Sequence, residues 1–216
     1  MSRLQAVVFD VGETLVDETR HWGEWADWLG VPRLTFFAAL GAVIERGWHH
    51  RRVFQLVRPG LDLEAEQRRR AAAGWTYHME PADLYPDALS CIAELAAAGF
   101  RVGISGNQPE AAETSLAALG VPADFIASST SWGVEKPEPG FFAKVAEAAG
   151  APADAIAYVG DRLDNDVLPA KAAGMLAVFI RRGPWGVIQG ASPQAAKADL
   201  RLETLAALAE ALGAIG

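Results

Sequence analysis

Four short stretches of this 216-residue sequence carry residue types that could do chemistry together. They are Asp10-Val11-Gly12-Glu13-Thr14, Ser105-Gly106-Asn107, Lys136-Pro137 and Gly160-Asp161-Arg162-Leu163-Asp164-Asn165-Asp166. Between them they offer carboxylates, a hydroxyl and a lone ammonium. Carboxylates forced together repel, and a hard divalent cation relieves that repulsion. Mg2+ prefers such oxygen ligands and keeps waters that a phosphate can replace. A serine hydroxyl and a lysine ammonium can then hold the remaining phosphate oxygens. Cys91, the single cysteine, falls inside a helical pattern with no obvious base, so a buried thiol is expected there rather than a nucleophile.

Bringing these stretches together requires a scaffold. Five apolar runs, at 4–9, 101–105, 125–127, 155–159 and 176–180, are predicted strands. None alternates cleanly with polar residues, which suits a sheet covered on both faces. Helical patterns at 86–98, 110–119, 140–149 and 164–173 separate them, and each is followed by a glycine: Gly99, Gly120, Gly150 and Gly174. Glycine past a helix end can take positive φ without steric cost and is the usual stop signal. Repeated helix–glycine–strand units imply right-handed crossovers and a parallel sheet. A last helix over 203–212 puts Leu205, Leu208 and Leu212 on one face. The expected fold class is α/β, a Rossmann-like parallel sheet with helices on both faces. In such sheets the ligand sits beyond the carboxyl ends of the strands, where all four stretches fall.

Residues 15–84 break the alternation. This segment reads as all-helical and holds five of the seven Trp, all four His and nine of the 15 Arg. The expected organisation is therefore a core of 1–14 and 85–216 with a small helical domain of 15–84 inserted after the first strand. Trp22, Trp25 and Trp28, three residues apart, lie along one side of a helix, a spacing that means packing more often than a ligand site. Arg68-Arg69-Arg70, His49-His50 and Arg51-Arg52 are expected on solvated surface. Trp132 and Trp185 fall in loops after the third and fifth strands, on the side of the expected site.

Charge narrows the partners. With 27 acidic against 19 basic residues the chain carries a net −8, which argues against a general nucleic-acid binder. One cysteine makes no intrachain disulfide. No charged-then-apolar leader opens the chain, and no apolar run approaches the ~20 residues that span a bilayer. The expectation is a soluble cytoplasmic protein with neither a nucleic-acid nor a membrane partner. Nothing in the sequence sets an oligomeric state.

With these motifs in order, the sequence resembles the haloacid dehalogenase superfamily. The resemblance rests on the hydrophobic strand before Asp10-x-x-x-Thr14-Leu15, on Ser105 closing strand two, on Lys136 within Glu135-Lys136-Pro137, and on Gly160-Asp161 with Asp166. It covers the whole chain if 15–84 is the helical cap that the family inserts after its first motif. The resemblance implies a Mg2+-dependent hydrolase, a phosphatase of a small phosphorylated metabolite acting through an aspartyl-phosphate on Asp10. It implies Mg2+ held by Asp10, the backbone carbonyl of Gly12 and Asp161, with Asp166 supporting the metal shell or orienting Lys136. Ser105, Gly106, Asn107, Lys136 and Thr14 would bind the phosphoryl group of the substrate, and Thr14 would orient Asp10 or bond backbone near the turn. Asp164 is a poorer candidate, read as a helix-start residue.

The departure from the family's pattern is Gly12. Most phosphatases of the family carry there an Asp that protonates the leaving group and later activates water, and a general acid of this kind contributes ~10²–10⁴ in rate. Three readings stay open: a leaving group that needs no proton, such as an acyl or activated aryl phosphate; another acid, with Glu13 nearest; or a catalytically weak or inactive protein that binds a phosphorylated ligand or a protein partner. Branches lacking this Asp fit less well. A Schiff-base hydrolase needs a cap lysine, and 15–84 contains none. The 2-haloacid dehalogenases use no metal and place Tyr at the position of Gly12, so dehalogenation is disfavoured.

Overall fold

The computed structural model describes residues 4–214, so residues 1–3 and 215–216 of the expected core lie outside the described residues. Six strands, β1 (Ala6–Phe9), β2 (Arg101–Gly106), β3 (Phe125–Ser128), β4 (Ile156–Gly160), β5 (Leu176–Ile180) and β6 (Leu200–Leu202), form one sheet in the order β3-β2-β1-β4-β5-β6. Every pairing is parallel. The order reverses at β1: the chain builds outward through β2 and β3, then returns to place β4 on the other side. That reversal opens a crevice beyond the carboxyl ends of β1, β2 and β4. β6 is an addition to the sequence expectation, because Leu200-Arg201-Leu202 is only three residues with an exposed arginine in the middle.

Side chains alternate across the pleat. Val7 and Phe9 join Cys91, Ile92 and Leu95 in one apolar cluster, whereas Ala6 and Val8 join Phe141, Phe142 and Val145 in another. With both faces covered, the strands have no polar side to display.

The helices are α1 (Thr19–Leu29), α2 (Arg33–Glu45), α3 (Arg52–Val57), α4 (Leu63–Ala72), α5 (Ala88–Ala97), α6 (Ala111–Ala118), α7 (Ser129–Trp132), α8 (Pro139–Ala149), α9 (Leu168–Ala172), α10 (Gly183–Gly190) and α11 (Leu208–Gly213). In α5 the buried residues are Ala88, Cys91, Ile92 and Leu95, while Leu89 is exposed. The helix expected over 164–173 begins differently: Leu163–Val167 is one π-helical turn, and α9 follows. A π-turn inserts one residue into the helical register and is frequent at functional sites. Among the described residues, no single helix is long and apolar enough to cross a membrane.

Glu18–His78 forms a compact helical unit, and the described residues on either side of it form the sheet unit. The inserted segment is thus narrower than 15–84. Leu15 and Val16 are buried in the sheet unit's core. Val16 bridges antiparallel to Leu84, the Asp17 N–H donates to the Asp83 carbonyl (2.7 Å), and the Tyr85 N–H donates to the Leu15 carbonyl (2.9 Å). The chain leaves and re-enters the sheet unit through paired backbone.

Inside the helical unit Trp22 and Trp25 are buried, and Trp25 packs edge-on against Phe54 with ring centroids 4.8 Å apart. Arg68 and Arg69 are exposed as expected, but Arg70 is not. Its guanidinium lies 4.0 Å from the Trp25 ring centroid and 3.5 Å from a Glu24 carboxylate oxygen. The ring face and the carboxylate offset the cost of drying that charge.

Candidate active site

The carboxyl ends of the strands bring the four stretches together. Asp10 follows β1, Ser105 and Gly106 close β2, Asp161 follows β4, and Lys136 enters from the segment between α7 and α8. The Lys136 Nζ donates to Asp10 Oδ1 and to Asp166 Oδ1, each at 2.6 Å. All three side chains are buried. Close approach depends on two glycines: a Cβ at Gly106 would lie 2.5 Å from Asp10 Oδ1, and one at Gly160 would lie 2.4 Å from the Asp166 Cβ.

The π-turn explains which acid faces inward. Asp166 is fully buried, and its Oδ2 accepts the Arg162 N–H at 3.0 Å. Asp164 is exposed; its carboxylate pairs with the Arg162 guanidinium at 2.8 Å and accepts from Gln189. Of the two acids in this turn, Asp166 belongs to the cluster and Asp164 does not.

Electrostatics inside the cluster are one-sided. Burial alone would push the Lys136 ammonium down, but Asp10 and Asp166 hold it well above its ordinary value. Burial pushes Asp166 up to about 6 against the pull of Lys136, with Asp10 adding repulsion. Asp161 is driven well above the carboxylate range by burial and then by Asp166, Asp10 and Glu13. One ammonium does not balance these acids.

The residues fit a hard divalent cation. Asp10, Asp161 and Asp166 each offer a carboxylate oxygen, and these atoms lie within 4.8 Å of one another. The Asp161 Oδ2 is buried with no hydrogen-bond partner, a costly state for a polar atom unless a ligand completes it. The hydroxyls of Ser105 and Thr14 are also buried without partners. The tie expected from Thr14 to Asp10 or to nearby backbone is therefore not made.

Asn107 does something the sequence did not indicate. Its carboxamide accepts the Lys136 N–H at 2.7 Å and donates to the Lys136 carbonyl at 2.8 Å. The side chain expected at the phosphate is thus spent largely on pinning the lysine's backbone. Tyr158 was also hidden, inside an apolar strand. Its hydroxyl donates to the Ser105 carbonyl at 2.8 Å, and its ring centroid lies 5.4 Å from the Lys136 Nζ. A lone tyrosine hydroxyl in an otherwise aliphatic run, two residues before Gly160-Asp161, is the signal that marks it.

The remaining candidates divide. Glu13 is buried and accepts a 2.6 Å hydrogen bond from the Tyr85 hydroxyl. It has φ 54°, in the left-handed region that costs a side-chain-bearing residue roughly 1–2 kcal/mol. Trp185 is buried under the Arg162 guanidinium, and Trp132 packs on Phe141 with centroids 5.1 Å apart. Burial pushes the Cys91 thiol up to about 12, so it is an inert core group.

The chain is similar in sequence and in fold to known hydrolases. The profile of the haloacid dehalogenase-like hydrolases matches residues 4–174. A glyceraldehyde 3-phosphate phosphatase of Methanopyrus kandleri is 34% identical over 152 residues, 66% of this chain and 64% of that protein. The chain thus covers less than two thirds of that phosphatase's own length. Among solved structures, a HAD phosphatase from Thermococcus onnurineus superposes with a TM-score of 0.63 at 24% identity, covering 97% of this chain and 98% of that one. The L-2-haloacid dehalogenase PA0810 superposes with a TM-score of 0.64 at 22% identity, covering 97% and 99%. At such identities the superpositions speak for the fold, which phosphatase and dehalogenase share.

Proposed function

The chain belongs to the haloacid dehalogenase-like hydrolases, and from that premise we propose that it is a Mg2+-dependent phosphatase of a small phosphorylated metabolite. The observation that carries this reading is the cluster of three mutually close acids, two of them, Asp10 and Asp166, bonded to one buried lysine and the third, Asp161, left with an unpartnered Oδ2. The metal-free, dehalogenating alternative gives no account of that atom or of the acid surplus. The phosphatase relative adds support for the substrate class.

Asp10 is the nucleophile. Lys136 occupies its Oδ1, leaving Oδ2 to attack phosphorus. The phosphorus–oxygen bond to the leaving group breaks as the aspartyl-phosphate forms, and the electron pair departs with the leaving oxygen. Water then attacks that phosphorus, releases inorganic phosphate and restores the Asp10 carboxylate. Lys136 and the unpartnered Ser105 hydroxyl hold phosphoryl oxygens, while Asp166 keeps Lys136 charged and aimed. Asp10, Asp161 and the Gly12 carbonyl would hold the Mg2+, with Asp166 beside them. The cation supplies charge neutralisation at the phosphoryl oxygens. The inserted helical segment, expected over 15–84, would correspond to the family's cap domain.

The direct test is hydrolysis of p-nitrophenyl phosphate and acetyl phosphate with Mg2+ and with EDTA. Metal-dependent release of phosphate is expected from both. No turnover of either by folded protein would sink the reading and favour the second one, a binder of phosphorylated ligands or of a protein partner. Gly12, which brings no side chain to the place of the family's acid, is the observation that keeps that second reading open.

Gly12 also makes a prediction. Gly12→Asp should raise kcat/KM on an alkyl phosphate such as glycerol phosphate by about 10²-fold, and change p-nitrophenyl phosphate much less. The left-handed residue of this turn is Glu13 rather than its neighbour, so an aspartate at 12 needs no left-handed backbone. An unchanged alkyl-to-aryl ratio in a stably folded variant would count against the missing-acid account.

A further inference from the structure

Glu13 is the non-glycine residue with left-handed backbone among those described, and its side chain is buried within the turn that follows Asp10. Strained conformations persist where the surroundings over-determine them. Here two segments close on one carboxylate. The Tyr85 hydroxyl, from the segment before α5, donates to Oε2 at 2.6 Å. Gly183, at the start of α10, leaves the carboxylate its space: a Cβ there would lie 2.3 Å from Oε2 and 2.6 Å from the Glu13 Cβ.

The adjacent Arg182 ties the same parts together. Its guanidinium lies 4.4 Å from the Tyr85 ring centroid, donates to the Thr14 carbonyl at 3.3 Å, and holds both Asp87 carboxylate oxygens at 2.9 and 2.6 Å. The turn after β1, the segment before α5 and the loop after β5 therefore meet around Glu13.

We propose that Glu13 is a positioning residue, latched by Tyr85 and Gly183, that fixes the turn carrying Asp10 and Gly12 for phosphoryl transfer. The geometry explains how. Rotation about the Glu13 N–Cα bond is the torsion φ, and the Gly12–Glu13 peptide is planar. With the Glu13 side chain held, φ is held, and so is the direction of the Gly12 carbonyl. This inference rests on the phosphatase reading above. It assigns Glu13 a holding role in place of proton transfer.

Four full-length variants test it: Glu13→Gln, Glu13→Gly, Tyr85→Phe and the pair E13G/Y85F. The readouts are kcat and KM for p-nitrophenyl phosphate at saturating Mg2+, and amide hydrogen exchange over 11–16. E13G and Y85F are each expected to lower kcat about tenfold with KM within about twofold. Each should also speed exchange in that segment by about tenfold. The paired variant should be no worse than E13G, since both changes open one latch. E13Q keeps the size and can still accept from Tyr85, so it should stay within about threefold of wild type in both readouts.

Three outcomes overturn the proposal. One is E13Q impaired as deeply as E13G, which would assign Glu13 a proton-transfer role. Another is unchanged exchange in E13G and Y85F. The third is faster exchange with kcat unaltered. A wild-type chain without turnover would sink the phosphatase reading, while the exchange comparison alone would still decide whether the latch exists.

Discussion

Asp10→Asn is expected to lower phosphatase turnover by at least about 10⁴-fold, the scale seen when a nucleophile is removed from a covalent mechanism. The substitution preserves shape: an asparagine oxygen can still accept from the Lys136 Nζ that now bonds Asp10 Oδ1. It also removes one charge from a cluster that holds too many, since Asp10 is among the groups pushing Asp161 and Asp166 upward. The folded state should therefore survive, with a melting temperature at or above wild type when Mg2+ is absent. Steady-state turnover, thermal unfolding and acid-quench trapping of labelled phosphate on the protein check the three claims together. Retention of more than a few per cent of the activity, or a phosphoenzyme in the Asn variant, would remove Asp10 from its assigned place.

The second large effect concerns Lys136. Lys136→Met leaves two buried carboxylates, Asp10 and Asp166, without the ammonium they share at 2.6 Å. Breaking a buried pair from one side costs about 3–5 kcal/mol, because the surviving charge stays dry and unpaired. For a chain of this size that is a melting temperature lower by roughly 6–20 °C. Turnover should fall by ~10²–10³ as well, the usual loss when a donor to the developing phosphoryl charge is removed. A companion variant, K136M with Asp166→Asn, should recover part of the stability and none of the activity. That split separates the lysine's two duties: holding the acids together in the resting fold, and meeting the phosphate during reaction. A K136M protein with ordinary turnover would contradict the second duty even if its stability fell as expected.

The centre of the site was legible because its residues stand where chain physics puts ligands. Asp10, Ser105 and Asp161 fall at the ends of apolar runs that become β1, β2 and β4. What stayed hidden depends on long-range partners. Asn107 meets the Lys136 backbone 29 residues away, and Tyr85 meets Glu13 across 72. Short-range spacing carries no record of either. The assignment of Asn107 to the phosphate and the expected tie of Thr14 rested on position in a motif, and the hydrogen bonds distribute these side chains differently.

The fold shows the same division. Continuous apolar runs revealed five strands, while β6 was too short and too polar at its middle to register. The helical pattern over 164–173 was real, but periodicity could not foretell the π-turn at Leu163–Val167 that turns Asp166 inward. Arg70 shows the limit from another side. A run of three arginines reads as solvated, and only a folded ring face beside it makes burying the third one tolerable.

The paired backbone at 15–17 and 83–85 has a bearing on how such a chain can vary. The ends of the helical insertion are fastened to each other by the sheet unit itself. Whatever lies between them is, for the sheet, one closed loop. Closing a longer loop adds little, about 0.6 kcal/mol for each doubling of its length. Segments of different size and composition can be spliced in at that junction while the strand register and the acid cluster stay as they are.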